Sequence, residues 1–134
     1  VLAHREQVKK VCEQLAEDGI LVSLFIDPDL RQIEAARACG APVIEIHTGR
    51  YADAATDSRD GEFKKIVRAA EFANECGLIP NAGHGLNYEN VSRIAAIEML
   101  NELNIGHSIV ARAIFVGLEV AVTEMKRLMT QARQ

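Results

Sequence analysis

Length, composition and charge already exclude several classes of protein. The chain has 134 residues, 49% of them hydrophobic and 25% charged, with a formal net charge of -4. These values are typical of one globular domain with a single core, and the negative charge argues against a non-specific nucleic-acid binder. No apolar run is long enough to span a membrane, and the start shows no secretory signal. We therefore expect neither a nucleic acid nor a membrane as partner.

The cysteines indicate the compartment. Cys12, Cys39 and Cys76 are odd in number and widely spaced, and no CxxC pair occurs. This pattern predicts free thiols, mostly buried as small hydrophobic groups, in a reducing compartment such as the cytoplasm. None of the three stands at a strand end beside a loop, so we do not expect a catalytic cysteine.

Helical and strand patterns alternate along the first part of the chain. Residues 5–17 have apolar side chains at helical spacing, and Gly19 is placed to end that helix. Residues 20–26 form a nearly continuous apolar run, which predicts a strand buried on both faces. Asp27 precedes a proline and is predicted to be the N-cap of a helix over residues 29–38.

The same alternation continues to the end of the chain. The pattern predicts three further strands: residues 42–48, a strand that begins at residue 79, and residues 103–105. It predicts three further helices, at residues 62–76, 87–97 and 108–131, and a long polar loop at residues 49–61. Gly19, Gly40 and Gly77 each mark a junction from helix end to strand, which indicates a repeated βα unit. Such alternation implies a parallel sheet with helical crossovers.

Two architectures fit this α/β pattern. One is a doubly wound open sheet, and the other is a (β/α)8 barrel. A whole barrel needs about 250 residues, so the single domain 1–134 would be half of one.

Polar residues collect at the predicted strand ends, where parallel α/β proteins carry their chemistry. Glu45 and His47 are two residues apart on a strand, so both side chains point to the same face, which is the interior in a barrel. A buried carboxylate is costly unless it is paired or functional. The alternatives are a functional Glu45 and a structural pair with a lysine, arginine or histidine.

The loop that follows the third strand places His84 between Gly83 and Gly85. These glycines permit backbone angles closed to other residues and the close approach of a ligand. A histidine presented there is suited to proton transfer beside a phosphate. The alternative is a tight turn whose histidine only satisfies a local hydrogen bond.

A second glycine–histidine pair, Gly106 and His107, follows the last strand, with Ser108 opening the final helix. In barrels the last two strand loops often bind phosphate with a helix N-terminus, so phosphate binding is favoured over a plain turn and cap. Three histidines and a glutamate are also of the residue types that bind metals. No two of them have the short spacing of a metal-binding motif, so we expect no metal. The two glycine-rich motifs typical of nucleotide binding, GxGxxG and GxxxxGK[ST], do not occur.

At these residues the sequence resembles the C-terminal half of the pyridoxine 5′-phosphate synthase family. The matching segments are VSLFID (22–27), GAPVIEIHTGRYADA (40–54), NAGHGLNY (81–88), ELNIGHSIVARA (102–113) and EMKRLM (124–129). The resemblance implies a (β/α)8 TIM barrel, of which this chain forms roughly the last four strands and their helices, and assembly into a homo-octamer without a cofactor. It also implies condensation of 1-deoxy-D-xylulose 5-phosphate with 3-amino-2-oxopropyl phosphate to pyridoxine 5′-phosphate, phosphate and water.

The resemblance also implies roles for individual residues. His84 matches the family's proton donor, and Glu45 matches a carboxylate that stabilises charge developing in the transition state. Gly85 and the pair Gly106 and His107 match substrate-binding positions. The family's N-terminal half supplies further catalytic and phosphate-binding groups, so we expect no turnover from these 134 residues alone. The alternative function is a catalytically incomplete half barrel that binds phosphate ligands.

Overall fold

Seven α-helices and four β-strands alternate in the computed structural model, which describes every residue from 1 to 134. The strands are β1 (Ser23–Ile26), β2 (Val43–His47), β3 (Ile79–Gly83) and β4 (Leu103–Asn104). The helices are α1 (Arg5–Glu17), α2 (Leu30–Ala38), α3 (Gly49–Asp53), α4 (Thr56–Glu75), α5 (Val91–Ala95), α6 (His107–Val116) and α7 (Leu118–Gln131). A short 3-10 helix, Leu2–His4, precedes them.

The four strands form one parallel sheet in the order β1-β2-β3-β4. The predicted alternation of helices and strands and the predicted parallel pairing are therefore confirmed. Gly19, Gly40 and Gly77 all have positive φ, at 74°, 79° and 76°, where a side chain would strain the backbone. The three predicted helix-to-strand junctions lie at these glycines.

The two faces of the sheet have opposite character because side chains alternate along each strand. On the outer face, Ile26, Ile46 and Ala82 are paired neighbours and are buried. Helices α2 and α4 cover this face, and burying each such isoleucine stabilises the fold by about 1.5–3 kcal/mol. The inner face carries the exposed Phe25 and the partly buried Glu45.

Strand β1 differs from the prediction in length and burial. It begins at Ser23, and the preceding Ile20 and Leu21 are exposed. Phe25 is 55% exposed, so the prediction of a strand buried on both faces is wrong. The reason is that β1 is an edge strand with helices on one side only.

The N-cap of α2 is Asp29, so the prediction of Asp27 is wrong. Asp29 has extended backbone angles, and its carboxylate accepts a hydrogen bond from the Arg31 N–H at 3.0 Å, as an N-cap does. The Asp27 carboxylate lies instead 3.3 Å from Nδ1 of His47. The proline after Asp27 therefore belongs to the turn before the helix.

The polar segment 49–61 is helical, which contradicts the predicted loop. Helix α3 begins directly after β2, and α4 begins at Thr56, after the extended residues Ala54 and Ala55. Tyr51 anchors α3 because its buried hydroxyl donates a hydrogen bond to the carbonyl of Asn90 at 2.9 Å. The polar side chains of this segment mostly form a solvated helix face, which composition alone does not distinguish from a loop.

The last two predicted helices also differ from the structure. Helix α5 is only five residues long, and Asn87 accepts hydrogen bonds from backbone N–H groups in the turn before it. The final helical segment is divided by Gly117, whose φ is 84°. The predicted single helix 108–131 is therefore two helices, α6 and α7.

All three cysteines are free, as predicted, with Cys12 and Cys39 buried and Cys76 partly buried. Burial raises the pKa of the Cys12 thiol above its ordinary value of 9.0, and the neighbouring Cys39 adds to the effect. None of the helices combines the length and the apolar character that a membrane crossing requires.

Replacing Asp29 by alanine is expected to destabilise the fold by about 1 kcal/mol, the usual cost of losing an N-cap side chain. Asp27→Ala is the matched control and should cost less, because that carboxylate caps no helix. Hydrogen bonds from Arg31 hold the pKa of the Asp29 carboxyl below its ordinary value of 3.8. The contribution of Asp29 is thus present above that pH and is lost as the pH falls through the lower folded value. Urea unfolding across the acid range measures both effects, and equal losses in the two variants would contradict this cap.

Candidate functional site

A cleft of about 470 Å³ opens at the carboxyl ends of β2, β3 and β4. This volume lies within the range of small-molecule sites. The cleft is lined by Phe25, Glu45, His84, Gly85, Leu86, Asn104, Ile105, Gly106 and His107. All five residues singled out from the sequence lie in this set: Glu45, His84, Gly85, Gly106 and His107. The structure thus brings them together from three different strand ends.

Glu45 lies at the inner face of β2 and is partly buried. Its Oε2 atom accepts a hydrogen bond from the Asn104 side-chain amide of β4 at 2.8 Å. The partner is thus a neutral amide and not the lysine, arginine or histidine considered as a structural alternative. The amide fixes the orientation of the carboxylate, which also lines the cleft.

Gly83 explains how β2 and β4 reach each other across β3. A Cβ atom at this position would collide with Oε1 of Glu45 and would lie 2.8 Å from the carbonyl oxygen of Asn104. Only a glycine therefore leaves room for the Glu45–Asn104 hydrogen bond. Gly83 does not have a positive φ, so its role here is close approach and not the unusual backbone angle expected from the sequence.

The unusual backbone angle belongs to His84 itself. Its φ is 81°, and it is the only residue other than glycine with a positive φ. This conformation costs about 1–2 kcal/mol for an ordinary residue. Gly85 follows with φ 78°, as its predicted conformational freedom requires. Next to them, buried Thr48 donates hydrogen bonds to the carbonyls of Gly83 and His84.

His47 lies on the same face of β2 as Glu45, in keeping with the alternation, but it borders a different groove. That groove has a volume of about 440 Å³ and also includes Arg50, Glu62 and one side of His84. The rings of His47 and His84 are 4.7 Å apart in an edge-on arrangement. His84 therefore separates two polar grooves.

The ring of His47 is held from two further sides. Phe25 lies edge-on at 5.0 Å between ring centroids, and the Asp27 carboxylate is 3.3 Å from Nδ1. Gly49 makes the histidine pair possible, because a Cβ there would lie 2.7 Å from Nε2 of His47 and 3.2 Å from Cδ2 of His84.

The N-terminus of α6 forms one wall of the cleft. Gly106 is the N-cap and His107 the first helical residue, so the helix begins one residue before the predicted Ser108. The first N–H groups of a helix lack intrahelical partners and, with the helix dipole, favour an anion. The Ser108 hydroxyl donates to the carbonyl of Leu86 at 2.8 Å. Its proton therefore ties α6 to the loop after β3 and is not free to contact a ligand in the cleft.

The sequence reasoning missed two residues of this region, Phe25 and Asn104, and it assigned no role to a third, Thr48. Thr48 and Asn104 are polar residues at strand ends, which is the one signal that could have drawn attention to them. Phe25 carried no such signal, since an aromatic residue in an apolar strand is usually core. No group of three or more histidine, cysteine, aspartate or glutamate side chains is arranged to hold a metal ion.

Fold and cleft together define a parallel α/β protein with a polar cleft at the carboxyl ends of its strands, lined by a carboxylate, two imidazoles and a helix N-terminus. Residues 1–131 match the sequence profile of the family described as "Pyridoxal phosphate biosynthesis protein PdxJ", and the chain belongs to this family. It is 55% identical over 134 residues to proteins named pyridoxine 5′-phosphate synthase from the Coxiella burnetii strains Dugway 5J108-111, RSA 331 / Henzerling II and RSA 493 / Nine Mile phase I. The alignment covers 99% of this chain and 56% of each relative, so the chain spans little more than half of their length.

Gly83→Ala is expected to destabilise the fold by about 1–3 kcal/mol, the usual cost of forcing a methyl group into filled space. The added methyl would push Glu45 and Asn104 apart. Gly61→Ala is the matched control, since it lies within α4 with open space around it. That change should stabilise the helix by about 0.5–1 kcal/mol. Urea unfolding compares the two, and a harmless Gly83→Ala would contradict the close approach described here.

Proposed function

We propose that the complete protein containing this chain is a pyridoxine 5′-phosphate synthase. It condenses 1-deoxy-D-xylulose 5-phosphate with 3-amino-2-oxopropyl phosphate to give pyridoxine 5′-phosphate, phosphate and water. The observation that carries this proposal is the meeting of Glu45, His84 and the N-terminus of α6 in one cleft. Membership of the family and 55% identity to proteins of that name support it.

The chemistry of this condensation matches the groups that line the cleft. Ring closure requires addition of an amine to a carbonyl, dehydration and loss of phosphate, and each of these steps moves a proton. A phosphate group would bind at the N–H groups of Gly85 and of the first turn of α6, beside Gly106 and His107. His84, which borders the same space, would donate a proton to the leaving oxygen.

Glu45 has a different role in this proposal. Its carboxylate is held by an amide and faces the cleft, where it would stabilise positive charge that develops on the nitrogen of the amine substrate or its imine. Because the carboxylate is held before the substrate binds, little reorganisation is needed when the charge appears.

We further propose that the chain forms the last four strands and helices of a (β/α)8 barrel. Three observations support a barrel over a doubly wound sheet. The strands follow one another in sequence order, helices cover only the outer face, and β1 and β4 each have an unpaired edge. A doubly wound sheet instead reverses its strand order and has helices on both faces. The greater length of the relatives leaves room for the other strands.

The assembly that we propose is a homo-octamer in the cytoplasm. The support for self-association is a group of large apolar side chains on α6 and α7 that are more than half exposed: Val110, Ile114, Phe115 and Leu118. Water contact with such side chains is unfavourable, and their burial would stabilise an assembly by about 1.5–3 kcal/mol each. Three free cysteines are in keeping with a reducing compartment.

In the complete protein, His84→Ala should lower kcat by about 100-fold or more, the usual contribution of a general acid. His4→Ala is the matched control, because His4 is exposed and lies in the short 3-10 helix far along the chain from the cleft. Steady-state assay of pyridoxine 5′-phosphate formation measures both. Turnover within a few-fold of the unchanged enzyme would show that His84 is not the proton donor.

Glu45→Gln should lower kcat more than it raises KM, because a group that stabilises developing charge acts mainly in the transition state. Glu75→Gln, at the exposed end of α4, should leave both constants unchanged. Initial rates over a range of both substrates separate the two constants. A rise in KM at unchanged kcat would make Glu45 a binding residue instead.

A further inference from the structure

We propose that Thr48 is a positioning residue for His84. Its hydroxyl holds His84 in the left-handed backbone conformation that presents the imidazole to the cleft. The proposal rests on the proposed role of His84 as proton donor, and it adds a residue to which the family resemblance assigned no role.

The first observation is the isolated conformation of His84. No other residue except glycine has a positive φ in this chain, and His84 has 81°. Residues with side chains leave this region unless their surroundings hold them there, and such residues cluster at functional sites. The surroundings of His84 must therefore contain the restraint.

The second observation identifies that restraint. The Thr48 hydroxyl donates to the carbonyl of Gly83 at 2.7 Å and to that of His84 at 2.6 Å. A hydroxyl has one proton, so this is a shared, three-centre hydrogen bond. The Thr48 N–H also donates to the Gly83 carbonyl, at 2.8 Å. Thr48 is fully buried, so water does not compete for these contacts.

The geometry explains why this contact controls the conformation of His84. Peptide units are planar, and the φ and ψ angles of a residue describe how the planes on its two sides are rotated about its Cα atom. The carbonyl of Gly83 belongs to the plane before His84, and the carbonyl of His84 belongs to the plane after it. A single hydroxyl that binds both carbonyls therefore restrains both angles of His84.

The consequence for chemistry is the direction of the imidazole. In the observed conformation His84 borders the cleft with Glu45 and His107 on one side and the groove with His47 on the other. Rotation to a negative φ would redirect its Cβ atom and the ring with it. A displacement of a reacting group by about 1 Å is enough to cost about 100-fold in rate.

The test uses Thr48→Val and Thr48→Ser in the complete protein. Valine keeps the volume and branching of threonine but has no hydroxyl, whereas serine keeps the hydroxyl. We expect Thr48→Val to lower kcat by about 100-fold, with KM changed by a few-fold at most, and Thr48→Ser to retain most of kcat. Thr123→Val, on the exposed side of α7, is the matched control and should be unchanged. A merely structural role would reduce the folded amount of enzyme without this split between kcat and KM.

Two kinetic outcomes would overturn the proposal: full kcat in folded Thr48→Val, or an equal loss of kcat in the valine and serine variants. If Thr48→Val does not fold, Thr48→Cys replaces it, because its thiol is only a weak donor at similar volume. A Cys variant with the kcat of the Ser variant then overturns the proposal, and a lower kcat supports it.

Crystal structures of the same variants keep this test separate from the proposed function. We expect φ of His84 to stay positive in Thr48→Ser and to become negative in Thr48→Val or Thr48→Cys. A positive φ in the variant without a strong donor overturns the positioning proposal whether or not the enzyme is active. A complete, unsubstituted protein that makes no pyridoxine 5′-phosphate refutes the proposed function instead.

Discussion

The peptide unit between Gly83 and His84 is the point on which the cleft depends. From one side, the backbone and hydroxyl of Thr48 at the end of β2 bind its carbonyl. From the other side, Glu45 and Asn104 meet across the space that Gly83 leaves empty. Three strand ends are therefore joined at one place, and His84 takes its unusual conformation there. Each neighbouring group contacts this unit through a hydrogen bond or a close approach. We therefore expect a small change at this unit to displace the side chains that line the cleft.

A second constraint is the difference between the two faces of the sheet. The outer face is apolar, and the hydrophobic effect holds α2 and α4 against it. The inner face carries Phe25, Glu45 and His47, whose side chains are exposed or only partly buried. The one-sided packing thus leaves the polar cleft and Phe25 accessible on the same face.

Individual residues show which parts of the structure could be predicted from the sequence and why other parts could not. The parallel βα repeat was predicted correctly because helix-ending glycines and apolar strands are local signals, visible at Gly19, Gly40 and Gly77. The helices within 49–61 were missed because a solvated helix face and a loop have similar composition. Asp27 was mistaken for the cap of α2 because both Asp27 and Asp29 have a suitable side chain, and only the folded structure shows that Asp29 accepts the hydrogen bond from the Arg31 N–H.

The sequence by itself determined the succession of helices and parallel strands, the face shared by Glu45 and His47, and the strand-end position of both glycine–histidine pairs. These properties follow from the alternation of apolar and polar residues and from the positions of the glycines, which are local features of the chain. Only the tertiary structure decided that Glu45 pairs with Asn104, that Gly83 is needed for space, and that Thr48 restrains His84. The hydrogen-bonded partners are 35 to 59 residues apart in the chain, and their contact depends on strand register, which no local pattern records.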